Sequence, residues 1–382
     1  MKNIYLLGAT GSIGRQTLEI VDKYPEEFKV ITLSARKRIN DLIDLIEKYN
    51  PKFCSVETKE DADNLADRFP DIIFGYGKSS LIHAATFQPK DSEGILINAL
   101  VGIAGLHPTI EAIKIKRNIL LANKETLVVG GDLVMSLAKQ NSVSVYPIDS
   151  EHSAIWQCLQ NGKKEEVSKI IITASGGAFR NKSFEELKNV TKEDALKHPN
   201  WSMGEKITID SATMMNKGFE VIEAIHLFDL LPNQIETIIH PESIIHSMVE
   251  YIDHSIIAQL SSHDMRLPIQ YAMFYPNRKD SMVSSIDFKK LSSLHFETLK
   301  EDNYPCFRLA MESIQKGQSM PCVLNAANEA AVDLFLNEKI AFLDIPKMIE
   351  VEMKNHVLIQ SPTLEDLLRI DSEVKERIYL NH

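Results

Sequence analysis

The sequence predicts an α/β protein: a Rossmann-like doubly wound parallel sheet at the N-terminus, a second α/β domain after it, and a small C-terminal helical bundle. Three observations carry this reading. An apolar run, Ile4-Tyr5-Leu6-Leu7, passes directly into Gly8-Ala9-Thr10-Gly11-Ser12-Ile13-Gly14 and then a segment with Leu18, Ile20 and Val21 at helical spacing. Short apolar runs then alternate with amphipathic segments, as in parallel sheets with crossover helices. Beyond residue 300 the strands give way to alanine-rich and 3.6-periodic stretches.

The elements follow in order. Ile4 to Leu7 reads as a buried strand, and the glycines after it suit a tight turn, close approach of the backbone to a pyrophosphate, and close helix packing. Val30 to Ser34 is the second strand. Asp41 to Tyr49 is an amphipathic helix, and Phe53 to Val56 the third strand. Ile95 to Leu100 and Asn118 to Leu121 are further strands around a helix carrying Ile110, Ile113 and Ile115. Ligands of such sheets bind beyond the carboxyl ends of the strands, where the chain places the loops Val101 to Gly105 and Ala122 to Glu125. Lys124 in the second loop is a candidate to face a nicotinamide or a substrate; a surface lysine is the alternative.

In the second domain, candidate strands are Lys169 to Thr173, Thr237 to His240 and Ser255 to Leu260, and a helix after Lys217 carries Val221, Ile222, Ile225 and Leu227 as a core stripe. The chain turns polar past Tyr275-Pro276-Asn277-Arg278. Helices are expected over Asn325 to Leu336, from Asp344 and Pro346, and from Thr363, which has Asp366 three residues on as a capping partner. The organisation expected is residues 1–148 for the nucleotide, 149–275 for catalysis, 276–300 as a linker and 301–382 as the helical domain.

Composition bounds the function. Of 382 residues, 44% are apolar and 25% charged, ordinary for a globular protein. A formal charge of -11 argues against broad binding to nucleic acid or an anionic membrane. Cys54, Cys158, Cys306 and Cys322 are scattered without a C-x-x-C pair, so neither a zinc site nor a disulfide framework is indicated. With no signal peptide and no membrane-spanning run, a cytoplasmic protein is expected.

The chemistry concentrates in two acidic segments, Asp149-Ser150-Glu151 and Asn216-Lys217-Gly218-Phe219-Glu220. The first follows the run Ser144 to Ile148; read as a strand end, it sends the side chains of Asp149 and Glu151 from one face. Asn216 and Glu220 share a helix face at i, i+4 spacing. Oxygen-only ligation favours Mg²⁺ or Mn²⁺, while solvated or helix-capping acids are the bland alternative. Between the two lie Thr173 to Gly177, His198 to Gly204 and Asp210 to Met215, rich in small and hydroxyl residues as a pocket would be. After the second strand, where NAD enzymes place a carboxylate for the ribose, the chain has Arg36-Lys37-Arg38. Cations there fit a 2′-phosphate and predict NADPH; the alternative is a solvated basic turn.

The motifs GATGSIG at 8–14, LANKE at 121–125, DSEH at 149–152, SGG at 175–177, HPNWSMG at 198–204, DSATMMNKGFE at 210–220 and NAANEAA at 325–331 together resemble the 1-deoxy-D-xylulose 5-phosphate reductoisomerase family along nearly the whole chain. The resemblance implies NADPH- and metal-dependent conversion of 1-deoxy-D-xylulose 5-phosphate to 2-C-methyl-D-erythritol 4-phosphate, on the non-mevalonate route to isoprenoid precursors, in a homodimer. It implies metal ligands at Asp149, Glu151 and Glu220, and phosphate-binding residues at Ser175, Ser211, Asn216 and Lys217. Lys124, Ser150 and His198 match positions that hold the substrate's carbonyl and hydroxyls. Thr10, Gly11, Ser12, Ile13, Asn123, Glu125 and Gly204 match cofactor positions, and 198–204 a lid whose Trp201 covers the substrate. Where many members carry Gly-Lys-Asn after the second strand, this chain has Arg36-Lys37-Arg38, keeping the lysine and adding cations.

Two other enzyme classes compete. A short-chain dehydrogenase would use a helical Tyr-x-x-x-Lys pair, and Tyr275 and Lys279 have that spacing, but Pro276 disfavours a helical Tyr275. A semialdehyde dehydrogenase needs a nucleophilic cysteine, and Cys158 sits in an apparent core helix. From a different class, a non-catalytic NADPH sensor would keep the glycine turn without needing the acidic cluster.

Overall fold

The computed structural model describes residues 1–88, 94–201 and 203–382. The chain forms two compact units, one of residues 1–126, 132–149 and 265–283 and the other of residues 127–131, 150–264 and 284–382.

The first unit is built on strands β1 (Lys2–Leu7), β2 (Phe28–Ser34), β3 (Phe53–Val56), β4 (Ile73–Tyr76), β5 (Ile95–Asn98), β6 (Asn118–Leu121) and β7 (Val145–Pro147). Their order is β4-β3-β2-β1-β5-β6-β7 and every pairing is parallel. The crossovers contain helices α1 (Ser12–Lys23), α2 (Ile39–Tyr49), α3 (Lys59–Arg68), α4 (Gly77–Thr86), α5 (Leu106–Lys114) and α6 (Lys124–Asn141). Because both faces are covered, the central strands are apolar throughout: Ile4 to Leu7 and Leu96 to Ile97 have no exposed surface. The strand order reverses between β1 and β5, the position at which such sheets open a crevice for ligands. There Gly8 adopts φ +83°, and a Cβ on it would lie 2.4 Å from the Ala99 carbonyl oxygen.

The second unit contains α7 (Ser150–Leu159), β8 (Val167–Ala174), α8 (Lys192–Ala195), α9 (Glu205–Ala212), α10 (Met215–Phe228), β9 (Ile235–Ile239), β10 (Ile245–Tyr251) and β11 (Ile256–Leu260). Helix α11 (Arg266–Phe274) belongs to the first unit, where Phe274 meets Tyr24 and Phe28 edge-on at 4.9 Å. Strand β12 (Glu297–Thr298) and helices α12 (Pro305–Lys316), α13 (Met320–Leu336), α14 (Asp344–Asn355) and α15 (Leu364–Asn381) complete the second. Its sheet runs β11-β10-β8-β9-β12, with β8 and β9 parallel and the other pairs antiparallel. Ile155, Ile170, Ile172, Val221 and Val249 join Phe307 in one core that packs α7, α10 and α12 on the sheet. The capping expected at Thr363 is present, with Asp366 N–H donating to its Oγ1 at 3.2 Å.

The α/β class, the parallel N-terminal sheet and the C-terminal helices are as the sequence predicts. Some local readings change. Asp149 and Glu151 do not lie on a strand: β7 ends at Pro147 and α7 starts at Ser150, so Glu151 stands in a helix's first turn. Likewise Lys124 and Glu125 are not loop residues, because the Asn123 side chain caps α6 by accepting the Thr126 N–H at 3.1 Å. Ile245–Tyr251, not among the candidate strands, forms β10. Tyr275 follows the end of α11 with ψ 136°, outside the helical geometry that a Tyr-x-x-x-Lys pair requires. Cys158 is buried, and burial pushes its thiol up to about 11, which does not suit a nucleophile.

Candidate active site

In the first unit the glycine turn is shaped by contact. A Cβ on Gly14 would stand 2.3 Å from the Gly8 carbonyl oxygen, so only glycine lets α1 begin this close to β1. Gly8 N–H donates to Ser34 Oγ at 2.9 Å and Ala9 N–H to the Ser34 carbonyl at 2.9 Å, tying the turn to the end of β2. Gly11 precedes α1 without a side-chain cap. The helix's first amides, at Ser12, Ile13 and Gly14, are thus suited to an anion such as a pyrophosphate.

Arg36, Lys37 and Arg38 are exposed beyond β2. Arg36 pairs with Glu57 at 3.5 Å, and Arg38 Nη1 donates to the Thr10 carbonyl at 2.9 Å. Sequence reasoning missed Arg15, whose Nε donates to the same carbonyl at 3.2 Å; its position one turn into α1 is the signal that could have pointed to it. Asn123 and Glu125 are buried together. Asn123 Nδ2 donates to Glu125 at 2.8 Å and to the Gly102 carbonyl at 3.0 Å, so this pair braces the loop after β5.

Lys124, at the start of α6, forms an ion pair with Asp149, the last residue before α7. Glu151 stands in the first turn of α7, and Glu220 comes from α10. Each of Asp149, Glu151 and Glu220 offers a carboxylate oxygen, and these lie within 4.8 Å of one another. Glu220 is 1% exposed. Asn216 Nδ2 donates to Glu220 Oε1 at 2.5 Å, the i, i+4 relationship expected. Lys217 is turned toward the acids: its ammonium donates to Glu151 at 3.1 Å and pairs with Glu220. The three carboxylates make the cluster rich in oxygen donors. That donor set fits a hard divalent cation such as Mg²⁺ or Mn²⁺.

His152 is the residue behind this cluster that sequence reasoning left without a role. It is fully buried, and its Nε2–H donates to the Glu220 carbonyl at 2.8 Å, tying α7 to α10.

The small-residue segments converge in the second unit. Gly176 and Gly177 have φ +82° and +68°, and a Cβ on Gly177 would sit 2.4 Å from the Ser211 carbonyl oxygen. The Ser175 turn therefore packs directly on the end of α9. Arg180 Nη1 donates to the Ser175 carbonyl at 2.8 Å, a brace the sequence did not reveal. Ser175 Oγ lies 3.2 Å from His198 Nε2. Burial pushes the His198 imidazole down to about 4, with the field of His263 adding to this and that of Glu151 opposing it. The ring is therefore neutral at pH 7. Its Nδ1 accepts the N–H groups of Asn200 and Trp201 at 3.2 and 3.0 Å, so the proton resides on Nε2.

The Trp201 ring lies 5.4 Å from that of His263, edge-on, and 6.1 Å from that of His246. Asn200 Nδ2 holds the same turn by donating to the Pro241 carbonyl at 2.8 Å and to Ser243 Oγ at 2.9 Å. Ser202, within the expected lid at 198–204, lies outside the described residues. Gly204 precedes α9 with open space around its Cβ position.

Three profiles cover most of the chain: 1-deoxy-D-xylulose 5-phosphate reductoisomerase at residues 4–131, the C-terminal domain of that enzyme at 145–228, and the DXP reductoisomerase C-terminal domain at 260–377. A 1-deoxy-D-xylulose 5-phosphate reductoisomerase from Macrococcus caseolyticus is 49% identical over 379 residues, covering 99% of this chain and 100% of the relative. The chain belongs to the 1-deoxy-D-xylulose 5-phosphate reductoisomerase family.

A second relative of the same description, from Caldanaerobacter subterraneus, is 50% identical over 380 residues, 99% of this chain and 98% of its own. Among solved structures, DOX-P reductoisomerase in complex with NADPH, fosmidomycin and magnesium superposes with a TM-score of 0.94 at 38% identity, covering 100% of this chain and 98% of that one. The Zymomonas mobilis enzyme in complex with NADPH gives 0.92 at 40% identity, with the same coverage. The protein is an enzyme with the family's reductoisomerase activity. No helix among the described residues is long and apolar enough to cross a membrane.

Proposed function

We propose that the chain binds NADPH and one divalent cation and converts 1-deoxy-D-xylulose 5-phosphate to 2-C-methyl-D-erythritol 4-phosphate, by retro-aldol and aldol rearrangement followed by reduction. The observation that carries this reading is the convergence of Asp149, Glu151 and Glu220 beside Lys124 and Lys217. A cation held there supplies Lewis-acid polarisation of the substrate carbonyl, and NADPH supplies the hydride.

The chain's own residues do the rest. The amides of Ser12 and Ile13, with Thr10 and Gly11, receive the pyrophosphate, while Arg36, Lys37 and Arg38 favour a 2′-phosphate. Asn123, Glu125 and Gly204 complete the cofactor contacts, the first two through the loop they brace. Ser175, Ser211, Asn216 and Lys217 anchor the substrate phosphate, so that binding at the remote end is turned into orientation at the reacting carbons. Lys217 serves both sides of the site, since it also faces the carboxylates.

Lys124 and Ser150 hold the substrate's carbonyl and hydroxyl oxygens. The Lys124 ammonium opposes the negative charge that gathers on oxygen while the carbon-carbon bond is broken and re-formed. Neutral His198 presents Nε2–H to a substrate hydroxyl, and the indole of Trp201 excludes water from the reactive carbons. The branched aldehyde that results accepts the hydride. Family resemblance further supports a cytoplasmic homodimer, which sedimentation in solution would test.

Product analysis tests the reaction itself. Purified protein with NADPH, Mg²⁺ and 1-deoxy-D-xylulose 5-phosphate is expected to form 2-C-methyl-D-erythritol 4-phosphate with one NADPH oxidised per product. NADPH oxidation that yields an unbranched polyol would contradict the rearrangement.

A further inference from the structure

The NAANEAA segment has no part in the chemistry described above, yet it places two fully buried asparagines, Asn325 and Asn328, one turn apart on a largely apolar helix. Asn328 on α13 is 0% exposed, and its Nδ2 donates to Asp210 Oδ1 at 2.9 Å across 118 residues of chain. Its Oδ1 is buried without a hydrogen-bond partner among the described residues. A mid-helix asparagine is a poorer helix former than alanine, and a buried unpaired acceptor carries a desolvation cost. Alanine at this position would remove both penalties, so the side chain is retained for the bond it makes.

Asp210 occupies a junction. It is 2% exposed, and its other carboxylate oxygen lies 2.8 Å from Lys206 one turn earlier on α9. Lys206 in turn stands over the Phe219 ring at 5.2 Å, next to Glu220. The Asp210 main-chain carbonyl accepts from Thr213 Oγ1 at 3.2 Å, and Thr213 Oγ1 accepts the Met215 N–H at 3.3 Å. Asp210 thus anchors the turn that follows Ser211 and Ala212 at the end of α9 and leads into α10 with Asn216, Lys217 and Glu220. Gly177 packs against the Ser211 carbonyl on the other side of the same turn.

We infer that Asn328 and Asp210 form a buried clamp through which the C-terminal helices set the position of the α9–α10 turn. Asn328 is a positioning residue for the phosphate end of the substrate. The inference rests on the proposed assignment of Ser211 and Asn216 to that phosphate.

The test is steady-state kinetics of N328A, D210N, the swapped double variant D210N/N328D and the reference S211A, each with thermal unfolding and NADPH titration. A misplaced anchoring turn is expected to raise KM for 1-deoxy-D-xylulose 5-phosphate by about ten-fold or more in N328A. NADPH affinity should stay at the wild-type value. The double variant restores a carboxylate–amide pair and is expected to recover much of the KM that each single change loses, which a purely packing role would not produce. N328S, which keeps a small polar side chain, replaces N328A if the latter does not fold. An unchanged substrate KM in N328A or N328S, with S211A raising it, overturns the clamp; an unchanged KM in S211A overturns the phosphate assignment and the clamp with it.

Discussion

The Lys217 ammonium donates to Glu151 at 3.1 Å across 66 residues of chain and pairs with Glu220 one turn along its own helix. One lysine therefore neutralises two of the three acids that would hold a cation. It competes with the cation for those oxygens while shielding buried charge that would otherwise repel.

Lys217→Met is expected to separate these effects. Removing one partner of a buried ion pair costs about 3–5 kcal/mol, so with chelator present the variant should unfold well below wild type. Added Mg²⁺ should then stabilise it by more than it stabilises wild type, because the competing ammonium is gone. Thermal unfolding with EDTA and with Mg²⁺ reads both. An equal Mg²⁺ increment in the two proteins would show that Lys217 and the cation do not share the carboxylates.

His198 gives a pH prediction. Its folded value lies near 4 against an ordinary value near 6.5, burial being the main cause. Between these values the unfolded chain takes up the proton and the folded one does not. The stability this residue contributes is thus complete above about pH 6.5 and is lost as pH falls toward 4. Protonation also removes Nδ1 as acceptor for the Asn200 and Trp201 amides. In a Trp156→Phe background, the fluorescence of Trp201 should change with a midpoint near pH 4, and His198→Gln should remove that transition. A midpoint near 6.5 would contradict a buried neutral imidazole.

The basic segment after β2 predicts coenzyme choice. Charge-assisted hydrogen bonds contribute about 1.5–3 kcal/mol each, so replacing Arg36, Lys37 and Arg38 together by alanine should weaken NADPH by roughly ten- to a hundred-fold or more while changing NADH little. Titrations at low and high salt check this, the loss shrinking as salt screens the wild-type contacts. Equal losses for the two coenzymes would instead indicate damage to the turn through Arg38 and Thr10.

Much of this was legible in the sequence because it is local. The glycine turn, the alternation of strands and helices, the i, i+4 relation of Asn216 and Glu220, and the Thr363 cap each depend on residues a few positions apart. What was not legible depends on distant partners. The run Ser144 to Ile148 reads as a strand with Asp149 and Glu151 at its end, yet Ser150 starts a helix at once. The return of residues 265–283 to the first unit rests on Phe274 meeting Tyr24 and Phe28, contacts with no local signature. Two braces of the site, His152 on the Glu220 carbonyl and Asn328 on Asp210, join side chains to groups far along the chain.

The central claim is that Asp149, Glu151 and Glu220 hold the catalytic cation, and Glu220→Gln tests it most directly. The substitution keeps the volume of a buried side chain while removing one of three charges. Lewis-acid stabilisation is worth several kcal/mol, and about 1.4 kcal/mol is a factor of ten in rate. Turnover of 1-deoxy-D-xylulose 5-phosphate should therefore fall by on the order of a thousand-fold, with Mg²⁺ binding weakened in calorimetry and NADPH affinity unchanged. Turnover near wild type, at the same Mg²⁺ concentration and still abolished by chelator, would remove Glu220 from the ligand set and contradict the account.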